Sequence, residues 1–282
     1  MSIPNREQIE HWNNGDEVGH WIDQQTRHDE MLAPFIDILL AGAQLRSGDR
    51  VLDVGCGCGA TTMAAARMTT PGTTVGIDLS APMLERARTN AKAANVDRVA
   101  FLQGDAQTHS LDGEVFDAVI SRFGIMFFDD PVAAFANVRK ATRQKARLAF
   151  VCWQPLIENE WLLVPGAALA QHVTLPEVSG PGGPGMFAFA DPDEPKRVLD
   201  ASGWSNIAAT DTRIPMYVGG HGTVADAVEF LRTGPIGRTV LAGIDPNTEG
   251  RALDAVRAVL EPHHDGVGVR LEAAVWLLSA TN

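Results

Sequence analysis

Short apolar runs alternate with helical patterns through the first half of the chain. The runs begin near residues 51, 74, 99, 116 and 147, and apolar side chains recur every three or four residues between most of them. Ser80, whose hydroxyl can cap a helix, precedes one such stripe, which consists of Met83, Leu84, Ala87, Ala91 and Ala94. Alternating strands and helices predict parallel strands joined by right-handed crossovers, and hence an α/β fold.

The pattern also separates an N-terminal segment from the predicted core. Residues 1–45 are predicted to form a helical preface, because apolar positions between Met31 and Leu40 follow a helical stripe. The helix of this stripe must start or kink at Pro34, since proline cannot donate a backbone hydrogen bond. Residues 46–154 carry the alternating strands and helices and form the predicted core.

Beyond residue 154 the regular alternation stops. Residues 155–190 are predicted to form a lid insertion with a mobile Gly/Pro-rich loop at 179–185. Residues 191–282 return to the core and contain a helical insertion at about 219–265, between two strand-like patterns at 206–218 and 273–279.

The most informative segment is a glycine turn at the end of the first strand. Residues 51–59 read Val-Leu-Asp-Val-Gly-Cys-Gly-Cys-Gly and precede a helical pattern. Glycines at such a junction permit a positive φ and let a ligand lie against the main chain. Four polar residues close predicted strands and should meet at one rim of the sheet, where ligands of such folds bind: Asp53, Asp78, Asp105 and Ser121.

The residues of this turn are open to more than one interpretation. The run Gly55-x-Gly57-x-x-Ala60 satisfies a dinucleotide fingerprint, and Asp78 stands about 20 residues later, where that fingerprint places a ribose-binding acid. The glycines could also serve a purely structural turn. Asp53 would repel a pyrophosphate, whereas it suits the ammonium and sulfonium charges of S-adenosylmethionine. It therefore favours that ligand over NAD(P).

Four motifs, in sequence order, resemble those of the class I S-adenosylmethionine-dependent methyltransferases. They read DVGCGCG, VGIDLS, FLQGDA and FDAVIS, at residues 53–59, 75–80, 101–106 and 116–121. The resemblance implies a Rossmann-like, doubly wound seven-stranded sheet whose last two strands form an antiparallel hairpin. It also implies that Asp78 holds the ribose hydroxyls and that Asp105 and Ala106 meet the adenine.

The chain resembles in particular the small-molecule branch that includes the ubiquinone and menaquinone biosynthesis methyltransferases. This resemblance implies S-adenosylmethionine as cofactor and a small-molecule acceptor. Trp21 joins the predicted site because a large aromatic side chain in a polar segment can close over a ligand. The predicted cofactor-binding residues are Trp21, Asp53, Gly55, Cys56, Gly57, Gly59, Asp78, Leu79, Met83, Asp105, Ala106 and Ser121.

Aromatic and thioether side chains after the fourth and fifth strands have two interpretations. They either fill the interface between sheet and lid or line an acceptor pocket, and they are Phe123, Met126, Phe127, Trp153 and Trp161. Such a pocket suits an apolar or aromatic acceptor, methylated on oxygen, nitrogen or carbon by in-line displacement. No catalytic base is assigned, although His20 and His28 reach the site if the preface folds over the cofactor.

Two alternatives to a methyltransferase are an NAD(P)-dependent oxidoreductase and a non-methylating protein that uses the cofactor structurally.

The composition of the chain limits which kinds of binding partner are expected. The chain has 23 Lys and Arg against 35 Asp and Glu, a formal net charge of −12, and no basic cluster, so no nucleic-acid partner is expected. No apolar stretch is long enough to predict a membrane span, and three cysteines without a C-x-x-C pair argue against disulfides. We expect a cytoplasmic protein without a metal and leave its oligomeric state open.

Overall fold

The centre of the computed structural model is a mixed sheet of seven strands. The structure describes residues 4–14, 16–111, 113, 115–175 and 183–282. The strands, in chain order, are β1 (Arg50–Val54), β2 (Thr73–Asp78), β3 (Val99–Gln103), β4 (Phe116–Arg122), β5 (Thr142–Trp153), β6 (Ser205–Tyr217) and β7 (Arg270–Thr281). Their spatial order is β3-β2-β1-β4-β5-β7-β6.

Strand direction confirms the predicted fold class. Strands β1 to β5 are parallel, whereas β7 lies antiparallel between β5 and β6. Leu278 pairs with Phe150 of β5 on one side and with Ala209 of β6 on the other. The last strand is longer than the predicted segment 273–279, because it pairs with β6 from Arg270 to Thr281.

In the described ranges, twelve α-helices accompany this sheet. They are α1 (Arg6–Asn13), α2 (Asp16–Asp23), α3 (Gln25–Leu32), α4 (Pro34–Gly42), α5 (Ala60–Thr69), α6 (Ala81–Ala93), α7 (Pro131–Lys140), α8 (Glu160–Leu169), α9 (Asp193–Ala201), α10 (Val224–Thr233), α11 (Pro235–Leu241) and α12 (Pro246–Leu260). None of these helices has the length and apolarity that crossing a membrane requires.

Local sequence signals explain where the crossover helices begin. The Ser80 hydroxyl accepts a hydrogen bond from the Met83 amide at 3.3 Å and caps α6, as the sequence predicts. The side chain of Asp130 caps α7 in the same way, immediately before Pro131. The predicted buried stripe of α6 is correct except at Ala94, which is exposed because the helix ends one residue earlier.

The first four helices lie in two different parts of the molecule. Helix α4 begins at Pro34, as expected, and packs Phe35 and Leu39 fully into the core. Helices α1 to α3 lie across the carboxyl ends of the parallel strands. The Asn13 side-chain amide donates to the Leu79 carbonyl at 3.0 Å, and Arg27 Nε donates to the Gly219 carbonyl at 2.7 Å. These bonds fix the N-terminal helices over the strand ends.

The second half of the chain supplies the remaining helices. Helix α8 packs against α12, and α10, α11 and α12 occupy the region predicted as a helical insertion. Residues 176–182 lie outside the described residues, so the predicted mobile loop at 179–185 falls partly there. The division of the chain into preface, core, lid insertion and C-terminal part stays a prediction.

Candidate functional site

A cavity of about 460 Å³ lies at the carboxyl ends of the parallel strands. The turns after β1, β2, β3 and β4 form one side of it, together with the end of β5. Helices α1 to α3 from the N-terminal segment cover it, as do α8 and helices α10 to α12 from the second half of the chain. Open parallel sheets bind ligands at this edge, so the cavity is the candidate site.

Most of the predicted residues lie on the cavity wall. The wall includes nine of the residues predicted to bind the cofactor, namely Trp21, Gly55, Cys56, Gly57, Asp78, Leu79, Met83, Asp105 and Ala106. The five predicted to form the acceptor pocket are also there, namely Phe123, Met126, Phe127, Trp153 and Trp161. Asp53, Gly59 and Ser121 do not line the cavity, and their contact with a cofactor stays a prediction.

The three glycines of the turn have different neighbours. All adopt a positive φ, of +69° at Gly55, +52° at Gly57 and +88° at Gly59. A Cβ on Gly55 would lie 2.6 Å from the Gly124 Cα, and one on Gly59 would lie 3.0 Å from the Phe101 ring. A Cβ on Gly57 would have only the Met83 Sδ within 4 Å, at 3.9 Å. Of the three, Gly57 alone leaves room for a ligand against the main chain.

Asp53 and Ser121 lie below the cavity, where each forms a hydrogen bond between two elements of the core. The Asp53 carboxylate is 1% exposed and accepts a hydrogen bond from Thr62 Oγ1 of α5 at 2.6 Å. Burial raises the pKa of Asp53 to about 7, against the opposing effects of the Thr62 hydrogen bond and the Arg122 charge. The Ser121 hydroxyl donates to the Val54 carbonyl at 2.6 Å and so ties β4 to β1.

Two of the acids predicted to bind the cofactor reach the cavity. Asp78 accepts hydrogen bonds from the backbone amides of Gly57 at 2.8 Å and Ser80 at 2.9 Å, which aim its carboxylate toward the glycine turn. Burial raises the pKa of Asp78, and these backbone hydrogen bonds oppose that rise. Asp105 accepts from the Asn5 side-chain amide at 2.9 and 3.0 Å, one distance to each carboxylate oxygen.

Asn5 is a wall residue that the sequence did not indicate. Its backbone is left-handed, with φ of +52°, and its side chain is 1% exposed. Its Oδ1 accepts from the Asp129 backbone amide at 2.6 Å, while the Asn5 backbone amide donates to the Asp129 carboxylate at 2.5 Å. Asparagine tolerates this conformation better than most residues, but nothing in the local pattern reveals contacts more than 100 positions away.

An aromatic cluster forms the part of the cavity that the sequence predicts to be the acceptor pocket. The Phe123 and Trp153 rings stack with centroids 4.2 Å apart and planes 8° from parallel. Trp161 packs beside Trp153 at 5.1 Å, and Phe35 meets both stacked rings edge-on. Phe123 itself has φ of +63°, which is unusual for a residue with a side chain. This turn aims the ring at Trp153.

A second aromatic group comes from the covering helices. Trp21 stacks on the imidazole of His28, with centroids 3.9 Å apart and planes 7° from parallel, and Phe230 meets His28 edge-on at 5.0 Å. His28 is 8% exposed, and its pKa is lowered to about 4, first by burial and then by His20, Arg122 and Arg27. His28 is therefore uncharged at neutral pH.

Each charged side chain on the described part of the wall has a protein partner. Arg122 donates to the Leu32 carbonyl, Arg232 pairs with Glu229 at 2.7 Å, and Glu17 lies 2.8 Å from the Arg238 guanidinium. Asp29 accepts from the Gln25 amide at 2.9 Å. The hydrogen bonds of Asp78 and Asp105, by contrast, come from uncharged amides and bring no counter-charge to either acid.

Comparison with known proteins assigns the chain to a family. A profile described as a methyltransferase domain matches residues 51–145. The chain is 30% identical to 27-O-demethylrifamycin SV methyltransferase of Amycolatopsis mediterranei over 205 residues, which are 71% of this chain and 70% of that protein. It therefore belongs to the class I S-adenosylmethionine-dependent methyltransferases.

Two further likenesses agree with this family. Aklanonic acid methyltransferase DauC of Streptomyces sp. strain C5 is 33% identical over 138 residues, which are 46% of this chain, and the match spans 62% of DauC. The crystal structure of YcgJ from Bacillus subtilis has a TM-score of 0.56 and 17% identity, and it covers 89% of this chain and 97% of YcgJ. At that identity the structure supports the fold alone.

The glycine turn predicts different outcomes for two matched substitutions. Gly57→Ala places a methyl group toward the cavity and costs roughly 1 to 2 kcal/mol for the left-handed backbone. It should remain folded but bind S-adenosylhomocysteine at least tenfold more weakly by calorimetry. Gly55→Ala collides with Gly124 and should be the less stable of the two in urea unfolding. Wild-type affinity in folded Gly57→Ala would remove this glycine from the binding surface.

The buried acid predicts a pH-dependent stability. The pKa of Asp53 is about 7 in the folded protein and near 3.8 when unfolded, so the folded state keeps a proton that the unfolded state loses. The free energy of unfolding should therefore fall as pH rises from about 4 to 7. Asp53→Asn retains an acceptor for Thr62 and lacks this titration.

The measurement is urea unfolding of both proteins without cofactor across this pH range. Relative to Asp53→Asn, the wild type should lose stability on the order of a few kcal/mol with rising pH. Because other carboxylates titrate equally in both proteins, their difference isolates Asp53. Parallel stability curves would show that Asp53 is ionised throughout.

Proposed function

We propose that this protein transfers the methyl group of S-adenosylmethionine to a small apolar or aromatic acceptor. The observation that carries the proposal is the continuity of one cavity. At one end it meets the open main chain of Gly57 and the carboxylates of Asp78 and Asp105, and at the other the stacked rings of Phe123 and Trp153. A cofactor and an acceptor can thus meet in one enclosed space.

The cofactor end has the donor and acceptor groups that this ligand needs. Each oxygen of Asp78 accepts one backbone hydrogen bond and has a further lone pair, which suits the ribose hydroxyls. Asp105, with Ala106 beside it, would meet the adenine, and Asn5 would then share the Asp105 carboxylate with that ring. Trp21, Leu79 and Met83 would supply apolar contacts.

The proposed chemistry places few demands on the protein. When bound, S-adenosylmethionine supplies a methyl group that its sulfonium charge activates for displacement. The chain has to hold the acceptor atom in line and exclude water, and positioning of this kind can contribute about 7 to 11 kcal/mol. The aromatic cluster and the covering helices suit both tasks, because they enclose the acceptor end with apolar side chains.

The family to which the chain belongs bears on the two alternatives. Membership in the methyltransferase family argues against the NAD(P)-dependent oxidoreductase. A non-methylating use of the cofactor differs from our proposal only in its product, so product mass decides between them. A cytoplasmic location is part of the proposal, supported by the three cysteines, which are all unpaired and buried.

The direct test combines binding with product analysis. Calorimetry should show micromolar binding of S-adenosylmethionine and S-adenosylhomocysteine and much weaker binding of NADH. Incubation of the protein with methyl-labelled S-adenosylmethionine and a panel of apolar phenols, quinols and amines should transfer the label to an acceptor. Cofactor binding with no labelled product from any acceptor class would favour the non-methylating alternative.

Asp78 offers a sharper test of the cofactor end. Asp78→Ala removes the carboxylate proposed to accept the ribose hydroxyls, so affinity for S-adenosylhomocysteine should fall at least tenfold. Asp254→Ala is the matched control, because this exposed acid of α12 pairs with Arg257 and does not line the cavity. Thermal unfolding of both variants checks that they are folded. Equal affinity in the folded Asp78 variant would place the ribose elsewhere.

A further inference from the structure

Arg122, the last residue of β4, is a buried arginine on the cavity wall with few partners. Its side chain is 13% exposed and lines the cavity. Among the described residues, its guanidinium makes one hydrogen bond, from Nη1 to the Leu32 carbonyl at 3.1 Å. Its ion-pair partner is Asp29, whose Oδ1 lies 4.0 Å from Nη2, beyond hydrogen-bond distance. The Nε and Nη2 donors of Arg122 are therefore unused.

An arginine of equal burial shows how such a side chain is otherwise satisfied. Arg147 of β5 is 14% exposed, and its guanidinium donates to the Asp49 carboxylate at 2.6 Å and to the carbonyls of Gln44 and Asp117 at 2.7 and 3.3 Å. A buried cation is costly unless its donors are satisfied. Protein atoms do not enclose Nε and Nη2 of Arg122, so a ligand in the cavity can supply the missing acceptors.

The guanidinium restricts the chemistry of that missing partner. Its planar fork matches the two oxygens of a carboxylate, whereas a hydroxyl or a carbonyl offers one acceptor atom and no counter-charge. Burial lowers the pKa of Arg122 against the opposing charges of Asp29 and Asp53, but arginine stays protonated at neutral pH. Because Asp29 and Asp78 also line the cavity, a doubly charged phosphate is repelled more than a singly charged carboxylate.

The position of Arg122 places it within reach of two kinds of ligand. Ser121, the preceding residue, bonds to Val54 just before the glycine turn, and Phe123, the following residue, belongs to the aromatic cluster. The amino-acid carboxylate of the cofactor would approach from the side of the glycine turn. The carboxylate of an aromatic acid would approach from the side of the aromatic cluster.

On the basis of the proposed function, we propose that Arg122 is the carboxylate-binding residue of the cavity, and that a ligand carboxylate replaces the distant Asp29 as its partner. The contact is a bidentate ion pair through Nε and Nη2, the two donors that the protein leaves unused. The Nη1 bond to the Leu32 carbonyl holds the guanidinium in place, so the ligand is positioned against the end of β4.

The first titration tests whether the carboxylate belongs to the cofactor. S-adenosylhomocysteine is compared by calorimetry with its decarboxylated analogue, which keeps the adenosine, the sulfur and the amine. If Arg122 binds this carboxylate, the wild type should prefer S-adenosylhomocysteine by at least about tenfold. Arg122→Gln should reduce the preference to within about twofold, while its affinity for the decarboxylated analogue should equal that of the wild type.

The second titration tests whether the carboxylate belongs to the acceptor. Naphthoate and naphthamide, which have nearly the same shape but differ in charge, are titrated into protein saturated with S-adenosylhomocysteine. A preference for naphthoate of at least about tenfold that is lost in Arg122→Gln would assign the residue to an acidic acceptor. If the wild type shows no preference for the carboxylate in either titration, the proposal is refuted without recourse to any variant.

Two further variants separate the charge of Arg122 from its shape and position. Arg122→Lys keeps the charge but loses the fork, so it should retain part of the preference, and it replaces Arg122→Gln if thermal melting shows that variant to be unfolded. Arg232→Gln is the matched control, because Arg232 also lines the cavity but already donates to the Glu229 carboxylate through Nε and Nη2 at 2.8 and 2.7 Å. Its preference should equal that of the wild type. A full preference in folded Arg122→Gln, or an equal loss in Arg232→Gln, would overturn the assignment.

Failure of this inference can be told apart from failure of the proposed function. A wild-type protein that binds neither S-adenosylhomocysteine nor its decarboxylated analogue refutes the proposed function, and the naphthoate titration, repeated without nucleoside, still tests Arg122. Methyl transfer by a protein that shows no carboxylate preference in either titration refutes the role of Arg122 alone.

Discussion

The contact between the main chains of Gly55 and Gly124 is the constraint on which the site depends. A Cβ on either glycine would lie within 2.7 Å of the other residue's Cα, so the turns after β1 and β4 meet without side chains between them. The Ser121 hydroxyl bond to the Val54 carbonyl reinforces the same junction. This closeness sets the glycine turn after β1 directly beside the turn after β4, which carries Phe123 of the aromatic cluster.

The position of Asp53 changes how the first motif is understood. From sequence, this acid was expected to select the ligand by its charge, yet its carboxylate lies beneath the cavity and accepts a hydrogen bond from Thr62 of α5. It therefore joins the end of β1 to the helix that follows the glycine turn. Its effect on a cation in the cavity would act through space and through Arg122, whose charge lowers the pKa of Asp53.

The sequence predicted well the features that depend on short segments of the chain. It also predicted those that follow from parallel strands ending at the same edge of a sheet. Gly57, Asp78 and Asp105 lie on the cavity wall because parallel strands bring their carboxyl ends to one edge. Gly59 and Ser121, by contrast, do not line the cavity. Both belong to the right motif, but Gly59 faces Phe101 and the Ser121 hydroxyl faces the main chain of β1. Membership in a motif does not reveal the direction of a side chain.

The residues that the sequence missed come from helices that are distant along the chain. Asn5 precedes α1 and Phe230 belongs to α10, and both reach the cavity only through tertiary contacts such as that between Arg27 and the Gly219 carbonyl. Neither helix has a local pattern that predicts its docking site, because an amphipathic stripe indicates burial and not the surface that buries it.

The helices that cover the cavity bear on the specificity for a methyl acceptor. The strand ends carry the groups suited to the cofactor, while the covering helices supply most of the apolar wall. In the proposed reaction, the shape and the apolar side chains of this cover are then what discriminate between acceptors. Substitutions in α2, α3 and α10 can therefore change the acceptor while the glycine turn and the acids of β2 and β3 stay the same.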